Sequence, residues 1–183
     1  MPVAGYLLSF FVVGMSLSVL GPALSELRDR AGTDLGGIGV LFVGQACGYI
    51  VGSLLAGRMF DLFDGHRVLA AGLGLLAVGM VSIPSLDTLP ALFATFVMVG
   101  VGAASVDVGA NTLLIWQLGA GVGRAMNILH LCFGVGALTA PLVVYIGLGF
   151  ASYLATALCL AFAALVLSAP SPVASTAVRD EHT

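Results

Sequence analysis

Asp107 is the only carboxylate deep inside a long apolar stretch of this 183-residue chain, a stretch that runs from about Leu89 to Trp116. A bare charge in hydrocarbon is costly, so the group must be paired or must face a water-filled path. Asn111 follows one helical turn later on the same face and can hydrogen-bond it. Two roles fit the pair. The acid can tie neighbouring helices together, or it can sit on an ion or substrate path, where it takes up and releases a proton.

Other polar residues recur at helical spacing. Gln45 and Tyr49 are four apart and lie beside a stripe of small residues, Gly44, Gly48, Gly52 and Ala56. Such a stripe lets another helix approach closely, and the two polar residues at its edge can look into a cavity. Asn127, His130, Gly134, Ala137 and Pro141 also advance by three or four and share a face. His130 reads either as a buried, paired imidazole or as a solute contact beside Asn127.

Enzyme chemistry finds little support. Ser105, Asp107 and His130 are the residues of a catalytic triad, but Ser105 and Asp107 are two apart on a helix and point to different sides. No nucleophile-elbow sequence surrounds the serine. An intramembrane aspartyl protease needs a second acid, which no other apolar stretch supplies. Phosphate-loop and metal-binding motifs are absent from the sequence. Cys47, Cys132 and Cys159 are odd in number, lie in apolar stretches and lack metal-ligand spacing.

The elements that must position these residues belong to a membrane. The chain is 60% hydrophobic and 8% charged, with a mean hydropathy of +1.13. Soluble domains carry roughly 25% charged residues to cover their cores. No Asp, Glu, Lys, Arg or His occurs from Met1 to Ser25, from Leu35 to Gly57 or from Val68 to Leu86. Each stretch exceeds or approaches the roughly 20 residues needed for one helical crossing. Barrel strands alternate apolar and polar residues. Leu75-Leu76-Ala77-Val78 does not, so the spans are helices.

Apolar runs and turn signals predict six spans: about Val3 to Leu24, Leu35 to Phe60, Val68 to Ile83, Leu89 to Trp116, Ala125 to Ile146 and Phe150 to Ser168. Between them, Glu26 to Asp34, Asp61 to Arg67, Ser85 to Thr88, Gly119 to Arg124 and Gly147 to Gly149 read as connections. Residues 1–168 form the bundle. Residues 169–183, rich in Pro, Ser and Ala and then charged, read as a disordered cytoplasmic tail or a linker between two halves. With a cytoplasmic N-terminus, Arg58, Arg67, Arg124 and Arg179 fall inside and Arg28 and Arg30 outside, which orients both termini inward. Gly14 and Gly21 match Gly102 and Gly109 at one offset, and Gln45 and Cys47 match His130 and Cys132 at a similar one. Three spans followed by three related spans would be an inverted repeat.

Gly57-Arg58-Met59-Phe60-Asp61 followed by Gly65-His66-Arg67 resembles the signature between helices two and three of the major facilitator transporters. Leu62 replaces the Arg usual there, and Asp64 lengthens the loop by one. The run Asp61 to His66 is similar to the branch containing sodium-dependent glucose transporter-like proteins, as is Gly14-Met15-Ser16 through Leu20-Gly21-Pro22. Asp107-Val108-Gly109-Ala110-Asn111 is similar to the acid-x-x-Ala-Asn segment of the fucose-galactose-glucose-proton symporters. Arg124 to Asn127, His130 and Phe133 to Ala137 resemble the start of helix five in that group. The resemblance implies a protonatable acid on helix four near a sugar site. Where the fucose symporters have a second acid on helix one, Ser18 stands here, a departure that counts against proton coupling on their two-acid pattern and leaves sodium coupling or uniport open.

The resulting expectation is an all-α membrane protein of six transmembrane helices in a 3+3 inverted repeat, half of a major facilitator fold. It would carry a small polar solute, a sugar by resemblance, through alternating access by secondary active transport. Asp107 would couple or polarise, and Asn111, Gln45, Asn127 and His130 would contact the solute. Gly57, Asp61, Gly65 and Arg67 would form a cytoplasmic hinge and gate, with Asp61 meeting the helix-eleven region of the second half. No metal, enzymatic activity, nucleic acid or cofactor beyond H+ or Na+ is expected. The expected setting is the plasma or inner membrane. The expected partner is a separate six-helix C-terminal half or a parallel second copy, without which the chain does not transport. The alternative is a non-transporting subunit or truncated remnant. The topology is checked with single cysteines at Thr33 and Ser171 in a background lacking native cysteines. They should react with impermeant reagent from opposite sides of the membrane.

Overall fold

The computed structural model describes residues 2–173, and its regular elements are all helical: α1 (Pro2–Ser18), α2 (Leu20–Ala31), α3 (Leu35–Leu62), α4 (Gly65–Ser82), α5 (Leu89–Leu118), α6 (Val122–Ile146) and α7 (Leu148–Leu167). Short 3-10 turns occupy Ile83–Ser85 and Gly119–Gly121. Five continuous helical stretches are long and apolar enough to cross a membrane: Val3–Ala31, Leu35–Leu62, Gly65–Ser85, Leu89–Ile146 and Leu148–Leu167. The fourth contains both α5 and α6, divided where Gly119 takes φ 52° and ψ −129°, a conformation that only glycine adopts readily.

The helices run further than the sequence signals indicate. Gly21-Pro22 does not end the first span, because Pro22 falls in the first turn of α2, where no backbone N–H is required. Glu26 to Ala31, expected as loop, is the amphipathic end of α2. It stops at Gly32, whose N–H and that of Thr33 bond the carbonyls of Asp29 and Arg28. The expected loop Asp61 to Arg67 shrinks to a break at Phe63 and Asp64. The Asp64 carboxylate accepts from Arg67 N–H at 3.1 Å, so α4 starts at once. Asp34 caps α3 in the same way through Gly37 N–H at 2.6 Å. Arg30 reaches from α2 to the carbonyls of Pro84 and Leu86, both at 2.7 Å, and fastens the α4–α5 turn. The sequence of the tail beyond residue 173 lies outside the described residues.

α1, α4 and α5 carry most of the large buried side chains, among them Tyr6, Phe10, Met15, Leu69, Leu73 and Phe96. α3 packs against α5, α1 against α6, α4 against both α5 and α7, and α1 against α5 and α7. The outer faces of α3 and α6 are largely apolar and exposed, as at Leu54 and Leu138, so the bundle itself leaves them uncovered.

The tightest crossings bring backbone against backbone. A Cβ on Gly48 would overlap the Val97 carbonyl, and one on Gly100 would overlap the Gln45 carbonyl, so α3 and α5 touch through both glycines. Likewise a Cβ on Gly14 would overlap the Phe133 carbonyl, and one on Gly136 the Phe11 carbonyl, where α1 meets α6. The stripe Gly44, Gly48, Gly52 and Ala56 is buried along its length, as its spacing indicates. Gly48→Ala forces α3 and α5 apart and should destabilise the chain by about 1–3 kcal/mol. Gly74→Ala, with nothing within 4 Å, should stay within about 0.5 kcal/mol of the parent. Reversible unfolding in mixed micelles measures both.

Candidate functional site

The α3–α5 crossing creates the polar centre of the bundle. Tyr49 follows Gly48 directly, and Asp107 lies two turns beyond Gly100, so the glycine contact sets how far apart their side chains begin. Tyr49 donates its phenolic hydrogen to Asp107 Oδ2. Asn111, one turn along α5, donates from Nδ2 to Asp107 Oδ1 at 2.8 Å and to the Asp107 backbone carbonyl at 2.9 Å. The three side chains are half-buried. An ionised carboxylate only accepts hydrogen bonds, and here each oxygen has a donor.

Gln45 sits one turn before Tyr49 on α3 and donates to the Leu17 carbonyl at 3.1 Å, next to the break between α1 and α2. Its amide nitrogen is thereby committed to the helix end, while its oxygen has no partner in any hydrogen bond among the described residues. Gln45 and Tyr49 are the polar members of an open cavity of about 360 Å³ whose other walls are Leu17, Phe42, Ala46 and Ile50. That volume lies within the roughly 300–1,000 Å³ of small-ligand pockets. Apolar walls with an amide and a phenol suit a small neutral polar molecule.

Asn127 and His130 are on α6 and exposed. His130 stacks edge-on against Phe10 with ring centroids 5.6 Å apart, and no hydrogen bond among the described residues joins either residue to Asp107. Of the motif between α3 and α4, Gly57 and Asp61 are exposed in the last turns of α3, and Arg67 is exposed in the first turn of α4. Gly65 is buried against Leu113 of α5.

Sequence reasoning placed Tyr49 beside a cavity but gave it no partner; the signal was its place one residue after a crossing glycine. It passed over the role of His66 altogether. This imidazole is 2% exposed, with Nε2 2.6 Å from Tyr6 Oη and Nδ1 2.9 Å from the Ala169 carbonyl. Its backbone N–H donates to Ser171 Oγ at 3.2 Å. A carbonyl can only accept, so Nδ1 carries the hydrogen and Tyr6 donates to Nε2. Partners so distant in sequence leave no local pattern.

These features define a multi-pass, all-helical membrane protein with an intramembrane acid beside a cavity. The sequence pattern of the Major Facilitator Superfamily matches residues 6–182, and the chain belongs to that superfamily. "Sodium-dependent glucose transporter 1" of Danio rerio is 36% identical over 135 residues, covering 74% of this chain and 23% of that protein. "Sodium-dependent glucose transporter 1A" of Mus musculus is 32% identical over 143 residues, 78% of this chain and 34% of that protein. "Major facilitator superfamily domain-containing protein 4A" of Homo sapiens is 28% identical over 144 residues, 78% of this chain and 28% of that protein. The matched region thus spans between 23% and 34% of the length of these relatives. The superfamily read from Gly57 to Arg67, and the sodium-dependent glucose transporter branch read from Asp61 to His66, are the ones found.

His66→Phe leaves the Tyr6 hydroxyl and the Ala169 carbonyl unpaired, a loss of about 1–3 kcal/mol. The amides of Ala169 and Ser171 should then exchange with deuterium faster than in the parent, as mass spectrometry of the purified chain would record.

Proposed function

We propose that this chain forms a six-span bundle of a secondary transporter that moves a small polar solute, a sugar, by alternating access. The observation that carries the reading is Asp107, held by Tyr49 and Asn111 in a half-buried position next to an open cavity. Intramembrane acids held in this way belong to ion and substrate paths. The printed names of the two glucose transporters support a sugar as the solute. Coupling is to a proton or to sodium.

Chain ends and lengths support six crossings. Tyr6, near the start of α1, and Ala169, just past α7, both bond His66, so the two ends of the bundle lie together, which favours an even number of crossings. The 58-residue stretch Leu89–Ile146 would measure about 87 Å as one helix, nearly three hydrocarbon thicknesses, and it turns at Gly119.

A 3+3 repeat is supported by exchanging the first three spans with the last three. The α3–α5 contact then becomes α6–α1, and α4–α5 becomes α7–α1. The crossing glycines follow, with Gly48 corresponding to Gly136 and Gly14 to Gly100, two residues short of the Gly102 that the sequence offset pairs with it. The exposed faces of α3 and α6 meet a second six-helix bundle, separately encoded or a second copy of this chain, across a cavity near the bilayer midplane. There Asn127 and His130 become solute contacts, and Gly57, Asp61, Gly65 and Arg67 form the cytoplasmic gate. The setting is the plasma or inner membrane with both ends of the bundle cytoplasmic, the arginine bias being the support.

Asp107→Asn keeps size and hydrogen bonding and removes the charge. In vesicles holding the variant with its second bundle, solute should still equilibrate, but accumulation driven by a proton or sodium gradient should fall to background. Accumulation at the parent level would refute the coupling role, and a chain moving no solute even with its second bundle would be a non-transporting subunit.

A further inference from the structure

Asp107 does not itself line the cavity; Tyr49 stands between them, bonded to the acid and forming part of the cavity wall. We infer that Tyr49 is a positioning residue that converts the protonation state of Asp107 into the hydrogen-bonding polarity of the cavity. The inference rests on the transport reading above and adds a residue and a mechanism to it.

The orientation of the donors forces the step. Asn111 Nδ2 faces two oxygens, Asp107 Oδ1 and the Asp107 carbonyl, so it must be the amide nitrogen and must donate to both. Oδ1 is therefore always an acceptor. A proton arriving on the carboxylate is best placed on Oδ2, because the phenol oxygen of Tyr49 beside it can accept the new hydrogen whereas Asn111 Nδ2 beside Oδ1 cannot. While the acid is ionised, the phenolic hydrogen is spent on Oδ2 and the cavity sees only the lone pairs of the phenol oxygen. Once Oδ2 carries a proton it becomes the donor, and the phenol oxygen becomes its acceptor. The phenolic hydrogen is then turned out to the cavity, where it can bond a solute hydroxyl oxygen. No atom is gained or lost apart from the one proton taken up at Oδ2. Gln45, one turn away with its amide oxygen free, supplies an acceptor for the same solute's hydroxyl hydrogen. The ligand class that fits is a neutral polyol, offered one donor and one acceptor only when Asp107 is protonated.

Two measurements test this. Affinity for a panel of neutral hexoses is measured across a pH series in vesicles holding the chain with its second bundle. The parent should bind more weakly at the high-pH end of the series. Tyr49→Phe should bind roughly tenfold more weakly at low pH, one hydrogen bond's worth, and lose the pH step. Asp107→Asn should bind with a single affinity over the whole range. A Tyr49→Phe protein with the parent's pH step overturns the inference, as does hexose affinity that follows sodium and ignores pH. Infrared difference spectra of the 183-residue chain alone provide the second readout. As the protonated-carboxyl band of Asp107 grows, identified by its loss in Asp107→Asn, the Tyr49 C–O stretch should move from donor to acceptor frequency. An unmoved C–O stretch overturns the polarity switch even where solute transport stands. A switching stretch in a protein that binds no hexose at any pH overturns the transport reading, and with it the link to a solute.

Discussion

Direct contact between helix backbones at glycine is the constraint on which the bundle depends. In a bilayer, helices gain little by leaving lipid for one another, because lipid tails are as apolar as leucine side chains. Association has to come from close packing and from polar groups that find partners. At Gly48 with Gly100, and at Gly14 with Gly136, each helix presents a carbonyl where the other lacks a side chain. The approach is close enough for Tyr49 on α3 to reach a carboxylate on α5. Larger residues at these positions would move the two helices apart, and Asp107 would lose one of its two side-chain donors. Packing and polar chemistry are therefore one arrangement, not a scaffold with a site added.

Other polar contacts work at the helix ends. Asp34 and Asp64 cap α3 and α4, Arg30 gathers the carbonyls of the α4–α5 turn, and Gln45 takes the Leu17 carbonyl beside the α1–α2 break. Each satisfies a backbone group that the helix itself leaves unpaired. Ser16 and Ser152 are the buried exceptions among the described residues, with hydroxyls lacking a partner. Both lie on the closely packed α1 and α7, where a serine is small enough to fit.

Much of this was legible in the sequence for a physical reason. Hydrocarbon imposes long, charge-free helices, so the spans appear as gaps in the charge pattern, and the glycine stripe of α3 appears as a four-residue period. The limits of the helices were less legible. Gly21-Pro22 looks like a stop, yet proline in a first turn disturbs nothing. Asp61 to Arg67 looks like a loop, yet one carboxylate cap is enough to begin the next helix. Asp107 and Asn111 stand four apart and could be paired from spacing alone, whereas Tyr49 belongs to another helix, and its partnership depends on which glycines meet. Asn127 and His130 share a face as their spacing indicates, but spacing on one helix cannot say which other helices are near.

The His66 contacts also bear on the order of assembly. Tyr6 precedes the imidazole by 60 residues, but Ala169 follows it by 103. At a synthesis rate of roughly 5–20 residues per second, the Nδ1 hydrogen of a newly inserted α4 has no native acceptor for about 5–20 seconds. During that interval this corner of the bundle lacks the Ala169 carbonyl that completes it. The last span is then the one that shuts it, and a chain stalled before α7 would present an unfinished polar edge to quality-control proteases.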